Sequence, residues 1–414
     1  MPSAALLYLR NLTAGLPKAF WFLWLGTLIN RIGIFVQPFL TLFLTTERGL
    51  SIEEATLIVG LLGLGSLVAQ LSGGYLTDRI GRRRTMIASF FVTPVLQMLL
   101  FFAQDHATIA VLTFAFGFFI DLYRPAASAL IADVVPPNDR VRAFALRYWA
   151  INLGASIGLA LAGWLARQNY IYLFIGDALT TFLFGLVVLA FIPETRPVIE
   201  TAVRATRSRL TLPTIPPGER RVFTFILMMS ALGIGVGALF VQSAVTLPLA
   251  MKARGLSEAD YGLAASVNGI FIVLVGLPIS QYLGRYSRLF VLALAAICTG
   301  VGFALNAFAT TTAAFAFAVV IWTLGELMAA PVGTAIIADI SPIARRGLYQ
   351  GIFGASFGAA FAVGPVIGGA VFQRYGPDAL WGLCLVVGVV AAAAYQFVMR
   401  PLYERIVADG LPEQ

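Results

Sequence analysis

Apolar runs of about 20 residues follow one another along the whole chain, separated by short polar turns. That length lets an α-helix cross the hydrocarbon core of a bilayer. The runs lack the period-two alternation over ~10 residues that a transmembrane β-strand shows. Since lipid admits only helices and closed barrels as spanning elements, the pattern predicts an all-α polytopic membrane protein. Twelve spans are expected, near 19–45, 52–76, 85–103, 108–132, 141–166, 170–192, 222–250, 258–283, 289–306, 311–338, 346–373 and 379–399. The longest polar connection, 193–221, contains Pro193, Pro197, Pro213, Pro216 and Pro217. It divides the chain into a first bundle (1–192), a linker (193–221) and a second bundle (222–414), each bundle with six spans.

Composition agrees. Hydrophobic residues make up 59% and charged residues 12%, against about a quarter charged in soluble domains. The net charge of +8 would suit a nucleic-acid partner, but its placement argues for membrane topology instead. With both termini assigned to the cytoplasm, 21 of the 28 lysines and arginines fall in cytoplasmic segments and 5 outside; the other 2, Arg31 and Arg124, lie within spans. Such a bias sets orientation, so no nucleic acid is expected. Arginine outnumbers lysine 26 to 2 in an alanine-rich chain, which points to a GC-rich bacterium and hence to its inner membrane. Cys298 and Cys384 lie in apolar runs, without disulfide or metal spacing. Neither metal nor cofactor is expected, and His106, in a short polar turn, reads as solvated. The first apolar run is too long for a cleavable leader and lacks a small-residue cleavage site.

The two halves repeat. "RGLS" occurs at 48–51 and again at 254–257, an offset of 206. The same offset carries "PAASALIADVVPPNDR" (125–140) onto "PVGTAIIADISPIARR" (331–346), and Gly158 and Gly163 onto Gly364 and Gly369. One offset across several elements marks an internal duplication. Six-span halves repeated in parallel are a transporter architecture with its substrate site at the midplane between the halves.

Between spans 2 and 3 the chain reads Gly74-Tyr75-Leu76-Thr77-Asp78-Arg79-Ile80-Gly81-Arg82-Arg83. This resembles the loop 2–3 signature of the major facilitator superfamily, G-x-L-a-D-r-x-G-r-r. Span count and repeat extend the resemblance to the whole chain. It implies the major facilitator fold: 12 transmembrane helices as two pseudosymmetric six-helix bundles. Within the superfamily the chain resembles the twelve-span drug:proton antiporters. That group often carries G-x-x-x-G-P-x-x-G-G in span 5, where this chain has Leu159 in place of the proline. The pattern stands instead in span 11, as Gly364-Pro365-Val366-Ile367-Gly368-Gly369. Export and uptake therefore both stay open.

The resemblance also implies roles in the loop. Asp78 would dock on the start of span 11, near Arg346 and Gly347, where unpaired N–H groups favour a carboxylate. Arg82 would pair with Asp133 at the end of span 4. Both contacts would break as the halves rock, so Gly74, Asp78, Arg79, Gly81, Arg82, Arg83 and Asp133 form a candidate latch. For Arg83 and Arg84 the simpler reading is anchorage on the cytoplasmic side. Asp78 is not repeated, since Gly284 stands at its counterpart, whereas Arg79 and Arg82 recur as Arg285 and Arg288.

Four ionisable residues lie deep in spans: Arg31, Asp121, Arg124 and Glu326. Charge there is costly and is a functional candidate by default. Asp121 and Arg124 share a face at i,i+3, which Ser128 extends, and Asp121 can pair with Arg124 or with Arg31. Glu326 has no basic residue in its own span; desolvation disfavours its charged form. It is the first candidate for a proton-coupling carboxyl, and Asp121 with Arg31 or Arg124 the second. Asp177 reads as interfacial. Candidate cavity residues are Asn30, Phe35, Gln37, Gln242, Asn268 and Trp322, with Phe39, Phe240 and Met328 as further apolar walls.

The expected function is proton-coupled export of small amphiphilic or drug-like molecules by alternating access, by a monomer. Sugar or nutrient uptake is the rival within the same fold, but sugar sites need more Asn and Gln than these spans offer. Lipid export also stays open. No His, Asp and Glu cluster has catalytic or metal spacing, so an enzyme is not expected.

Overall fold

The computed structural model describes residues 15–195, 219–283, 285–342 and 346–408. Among these there is no strand. Twelve segments are helical, long and apolar enough to cross a membrane: Lys18–Thr46, Ile52–Ile80, Arg82–Phe102, His106–Val134, Pro137–Gln168, Ile171–Phe191, Arg220–Val245, Glu258–Gly276, Arg288–Ala307, Thr312–Ile340, Leu348–Tyr375 and Pro377–Ala408. They follow the twelve expected spans in order and are numbered as such below.

The sequence repeat is a structural repeat, visible in how helix ends are satisfied. The first N–H groups of a helix lack intrahelical partners. Ser51 and Glu54 supply them at span 2 as a capping box. Ser257 and Asp260 do the same 206 residues on, with Ser257 N donating to Asp260 at 2.8 Å and Asp260 N to Ser257 Oγ at 3.3 Å. Asp105 caps span 4 by accepting from Thr108 N at 2.8 Å, and Thr311 caps span 10 by accepting from Ala314 N at 3.3 Å. Arg48 donates to the carbonyls of Phe101 and Ala103; Arg254 donates to those of Ala307 and Ala309.

Helix packing repeats as well. Span 1 packs on spans 5 and 6, span 2 on 4, and span 3 on 4 and 6; in the second half, span 7 packs on 11 and 12, span 8 on 10, and span 9 on 10 and 12. The halves meet where span 5 lies on span 8 and span 2 on span 11. Backbone crosses backbone there: a Cβ on Gly163 would meet the main chain of Glu258, and one on Gly262 that of Leu159. Small residues permit such close crossings in lipid.

Three details depart from plain spans. Span 1 breaks between Lys18–Ile32 and Val36–Thr46. Asp177 of span 6 accepts the freed N–H groups of Phe35 and Val36 at 3.2 and 3.0 Å. Asp177 is therefore not interfacial: it is 1% exposed and caps a helix inside the bundle. Span 7 ends at Val245 and a short helix, Leu247–Ala253, follows. Span 12 passes through a π-helical turn, Ala394–Met399, into the helix Arg400–Ala408.

Span 6 ends, and span 7 begins, at the face from which the linker leaves. At the opposite face the halves are tied together. Tyr170 Oη donates to Glu258 at 3.3 Å, Lys252 Nζ to Thr46 at 2.8 Å, and Arg374 to Glu53 at 2.6 Å. Phe39 packs edge-on against Tyr261, ring centroids 5.1 Å apart. Contacts continue to mid-span, at Leu67 beside Gly358 and Asn152 beside Gly269. Beyond that level, among the described residues, no hydrogen bond or ion pair joins the halves, and Gly74, Gly351 and Gly354 have open space around them. The halves are joined at the face opposite the linker, and toward the linker face the described parts of spans 2 and 11 draw apart at Gly74, Gly351 and Gly354.

Candidate functional site

Two groups of charged residues stand out, one at the linker face and one at mid-span. At the linker face Gly81 ends span 2 and starts span 3 with φ +113°, a left-handed conformation that favours glycine. The tight turn brings Arg82, the first residue of span 3, back toward the end of span 2. Arg82 donates to Asp78 at 3.1 Å and to Asp133 of span 4 at 3.0 Å, and its side chain is 8% exposed. Asp78, 43% exposed, thus pairs with Arg82. The start of span 11, at Arg346 and Gly347, has side chains outside the described residues. Arg79 donates to the Tyr75 hydroxyl at 3.1 Å, and Arg83 to the carbonyl of Leu189 at 2.5 Å. Gly74 has open space around it.

Two residues just past span 6 complete the cluster, and sequence reasoning missed them. Span 3 has no side-chain cap of its own. Glu194 accepts from Arg83 N and Arg84 N, each at 3.3 Å, and Thr195 Oγ1 donates to Asp133 at 2.7 Å. A carboxylate suits the positive end of a helix. An acid immediately after Pro193, at the end of an apolar run, was the available signal.

At mid-span, Arg124 Nε lies 2.5 Å from Asp121 Oδ1, and Ser66 of span 2 donates to Oδ2. Of the two partners open to Asp121, the structure gives Arg124. Arg31 instead donates to the Tyr123 hydroxyl at 2.7 Å. Arg147 of span 5 donates to Ser128 at 3.2 Å, and Tyr123 lies in the field of all three guanidiniums. The sequence counts Arg147 with the cytoplasmic cations, although it falls inside the expected span 141–166. Span 5 is helical from Arg140, and seven residues at 1.5 Å rise carry Arg147 ~10 Å along it. It is 8% exposed. Arg124 is the accessible member of the group, at 45%.

Across the gap, Glu326 of span 10 accepts from Asn268 of span 8 at 2.8 Å, and Asn268 also donates to Thr323 at 3.0 Å. Glu326 is half-buried and has no ion-pair partner among the described residues. Tyr148 of span 5, half-exposed, lies in its field. Glu326 and Asn268 thus stand together, facing the half that carries the arginines.

The other cavity candidates fare differently. Gln37 is half-buried. Asn30 donates to Thr181 of span 6 at 2.9 Å. Phe35, 5% exposed, packs over Gly176 where span 1 breaks. Gln242 donates to the carbonyls of Ala238 and Gly364 and accepts from Thr246, so it joins span 7 to span 11. Trp322 stacks on Phe303 with Phe240 at its edge. Met328 is buried against Val291 and Ala295. Phe35, Gln242, Trp322 and Met328 are buried, and Asn30 is half-buried; each meets a partner on a neighbouring helix.

Comparison with known proteins follows this geometry. The pattern of the Major Facilitator Superfamily matches residues 23–245 and again 223–410. The chain belongs to that superfamily. The chain is 28% identical over 383 residues to an uncharacterised MFS-type transporter, YttB, of Bacillus subtilis, covering 91% of this chain and 94% of the relative. It is 26% identical over 381 residues to the multidrug resistance protein MdtH of Aeromonas salmonicida, covering 89% and 92%. A Na(+), Li(+), K(+)/H(+) antiporter of Planococcus maritimus is 26% identical over 344 residues, covering 76% and 80%. A crystal structure of the peptide transporter POT in complex with sulfate superposes with TM-score 0.80 at 17% identity, covering 95% and 96%. At that identity the likeness speaks for the fold alone. Sequence family, twelve spans and repeat agree on a multi-pass membrane transporter of this superfamily.

Proposed function

We propose that the chain is a monomeric, proton-coupled exporter of small amphiphilic molecules, working by alternating access with its linker face in the cytoplasm of a bacterial inner membrane. The observation that carries the coupling is Glu326: a carboxyl at mid-span, held by Asn268 and without a cation beside it. An unpaired charge at that depth is costly, so the carboxyl keeps its proton when dry and ionises where water reaches it. In the open form described here, that water comes from the linker face. Substrate and proton then share one gap between the bundles, and rocking carries whichever occupies it to the other side. The two bundles that rock are 1–192 and 222–414, joined by 193–221.

The loop residues form the latch. With the linker face open, Asp78 rests on Arg82; on closure it docks on the start of span 11, and Arg82 keeps Asp133. The likeness to MdtH supports export of drug-like molecules, and the scarcity of amide side chains free to bind a sugar supports an apolar substrate. The test is transport of a fluorescent amphiphile in proteoliposomes under an imposed pH gradient. Movement against the dye gradient that stops on adding a protonophore supports the reading. Equal movement with and without the pH gradient refutes it.

A further inference from the structure

Three guanidiniums, those of Arg31, Arg124 and Arg147, gather round Tyr123, with Asp121 as the single acid among them in the described residues. Three cations less one anion leave two positive charges in the first half, in a region where charge is expensive. Their hydrogen-bonding capacity is not used up. A guanidinium has five N–H donors. Nε of Arg31 and Nε of Arg147 are buried without a partner, and Arg124 pairs with Asp121 through Nε while its side chain stays 45% exposed. A buried donor left unmade bears its full desolvation cost. Tyr148, one residue after Arg147 on span 5, is a half-exposed ring in the field of Glu326.

We infer that the transported amphiphile carries an anionic head, a carboxylate, sulfonate or phosphate, which Arg124 receives and the Arg31–Tyr123–Arg147 group draws in, while its apolar body lies along Tyr148. The inference rests on the proposed transport reading only in taking the gap between the halves as the substrate's place. A guanidinium fork fits two oxygens of such a head. Asp121 holds Arg124 in position until the head arrives, and a cationic head would meet repulsion from three arginines.

The test uses the full-length purified chain with three matched probes: naphthalene-2-sulfonate, 2-naphthol and trimethyl(2-naphthyl)ammonium. Calorimetric titration should show saturable binding of the sulfonate, at least tenfold tighter than the ammonium compound. Arg124→Gln should weaken sulfonate binding at least tenfold, with part of it restored by Arg124→Lys. Asp121→Asn, which releases Arg124 Nε, should tighten it. The opposite signs keep the test decisive where one variant fails to fold. Tighter binding of the ammonium probe, absence of saturable sulfonate binding, or equal sulfonate affinity in folded Arg124→Gln overturns the inference. Gradient-driven movement of the same probes in proteoliposomes reports on export separately. Sulfonate binding without movement leaves the anion site standing and counts against the exporter; movement of the ammonium probe alone does the reverse.

Discussion

Arg82 pairs with Asp133 at 3.0 Å, and 206 residues later Arg288 pairs with Asp339. The two pairs join the start of span 3 to the end of span 4 and the start of span 9 to the end of span 10. They differ in burial: Arg82 is 8% exposed and Arg288 44%. Charge pairs in water are worth little, whereas Arg82, a buried cation, would be left with Asp78 alone as its acid when Asp133 is removed. Asp133→Asn is therefore expected to lower stability by about 1–3 kcal/mol, while Asp339→Asn shifts it by less than about 1 kcal/mol. Thermal unfolding of the two variants in one detergent checks the difference.

Gly81→Ala should be worse than most loop changes. A side chain at φ +113° costs roughly 1–3 kcal/mol, and the new Cβ would collide with the Glu194 carboxylate. The Glu194 cap on span 3 would be lost with it. Unfolding midpoints for Gly81→Ala and Glu194→Gln measure the two parts.

For the latch, Asp78→Asn is expected to keep the fold and raise the population open at the linker face. Spin labels on cysteines replacing Tyr75 and Gly351, in a chain lacking Cys298 and Cys384, would report the distance across that face. A distribution unchanged by Asp78→Asn removes the latch role.

Orientation is tested by single cysteines in 196–218. They should resist a membrane-impermeant thiol reagent applied to intact cells and react once the membrane is permeabilised. Labelling from outside reverses the proposed topology.

Much of this architecture was legible in the chain because it is periodic. The spans, the linker and the 206-residue offset follow from hydropathy and repeated strings, and the offset also anticipates which caps recur. What escaped depends on tertiary partners. Pro38, in the first turn of the second segment, marks the break in span 1 locally, but Asp177, which satisfies it from 141 residues away from Val36, is not marked. Arg147 lay within the expected span 141–166 but was counted with the cytoplasmic cations; its burial and its partner Ser128 on span 4 depend on tertiary packing. Asn30 and Gln242 were recognisable as polar residues that need partners in lipid. Which helix would supply Thr181 or the carbonyl of Gly364 was not. Glu326 was visible as an isolated acid, but Asn268 as its hydrogen-bond donor was not.

The central claim is that Glu326 carries the coupled proton. The most direct measurement compares wild type and Glu326→Gln in proteoliposomes under an imposed pH gradient, beside substrate binding to each at pH 6 and pH 8 (values set by the experiment, roughly a unit either side of neutrality). Glu326→Gln is expected to abolish accumulation against a substrate gradient while binding stays measurable and loses its pH dependence. Accumulation by Glu326→Gln at the wild-type level would contradict the account and move the proton to Asp121 and Arg124.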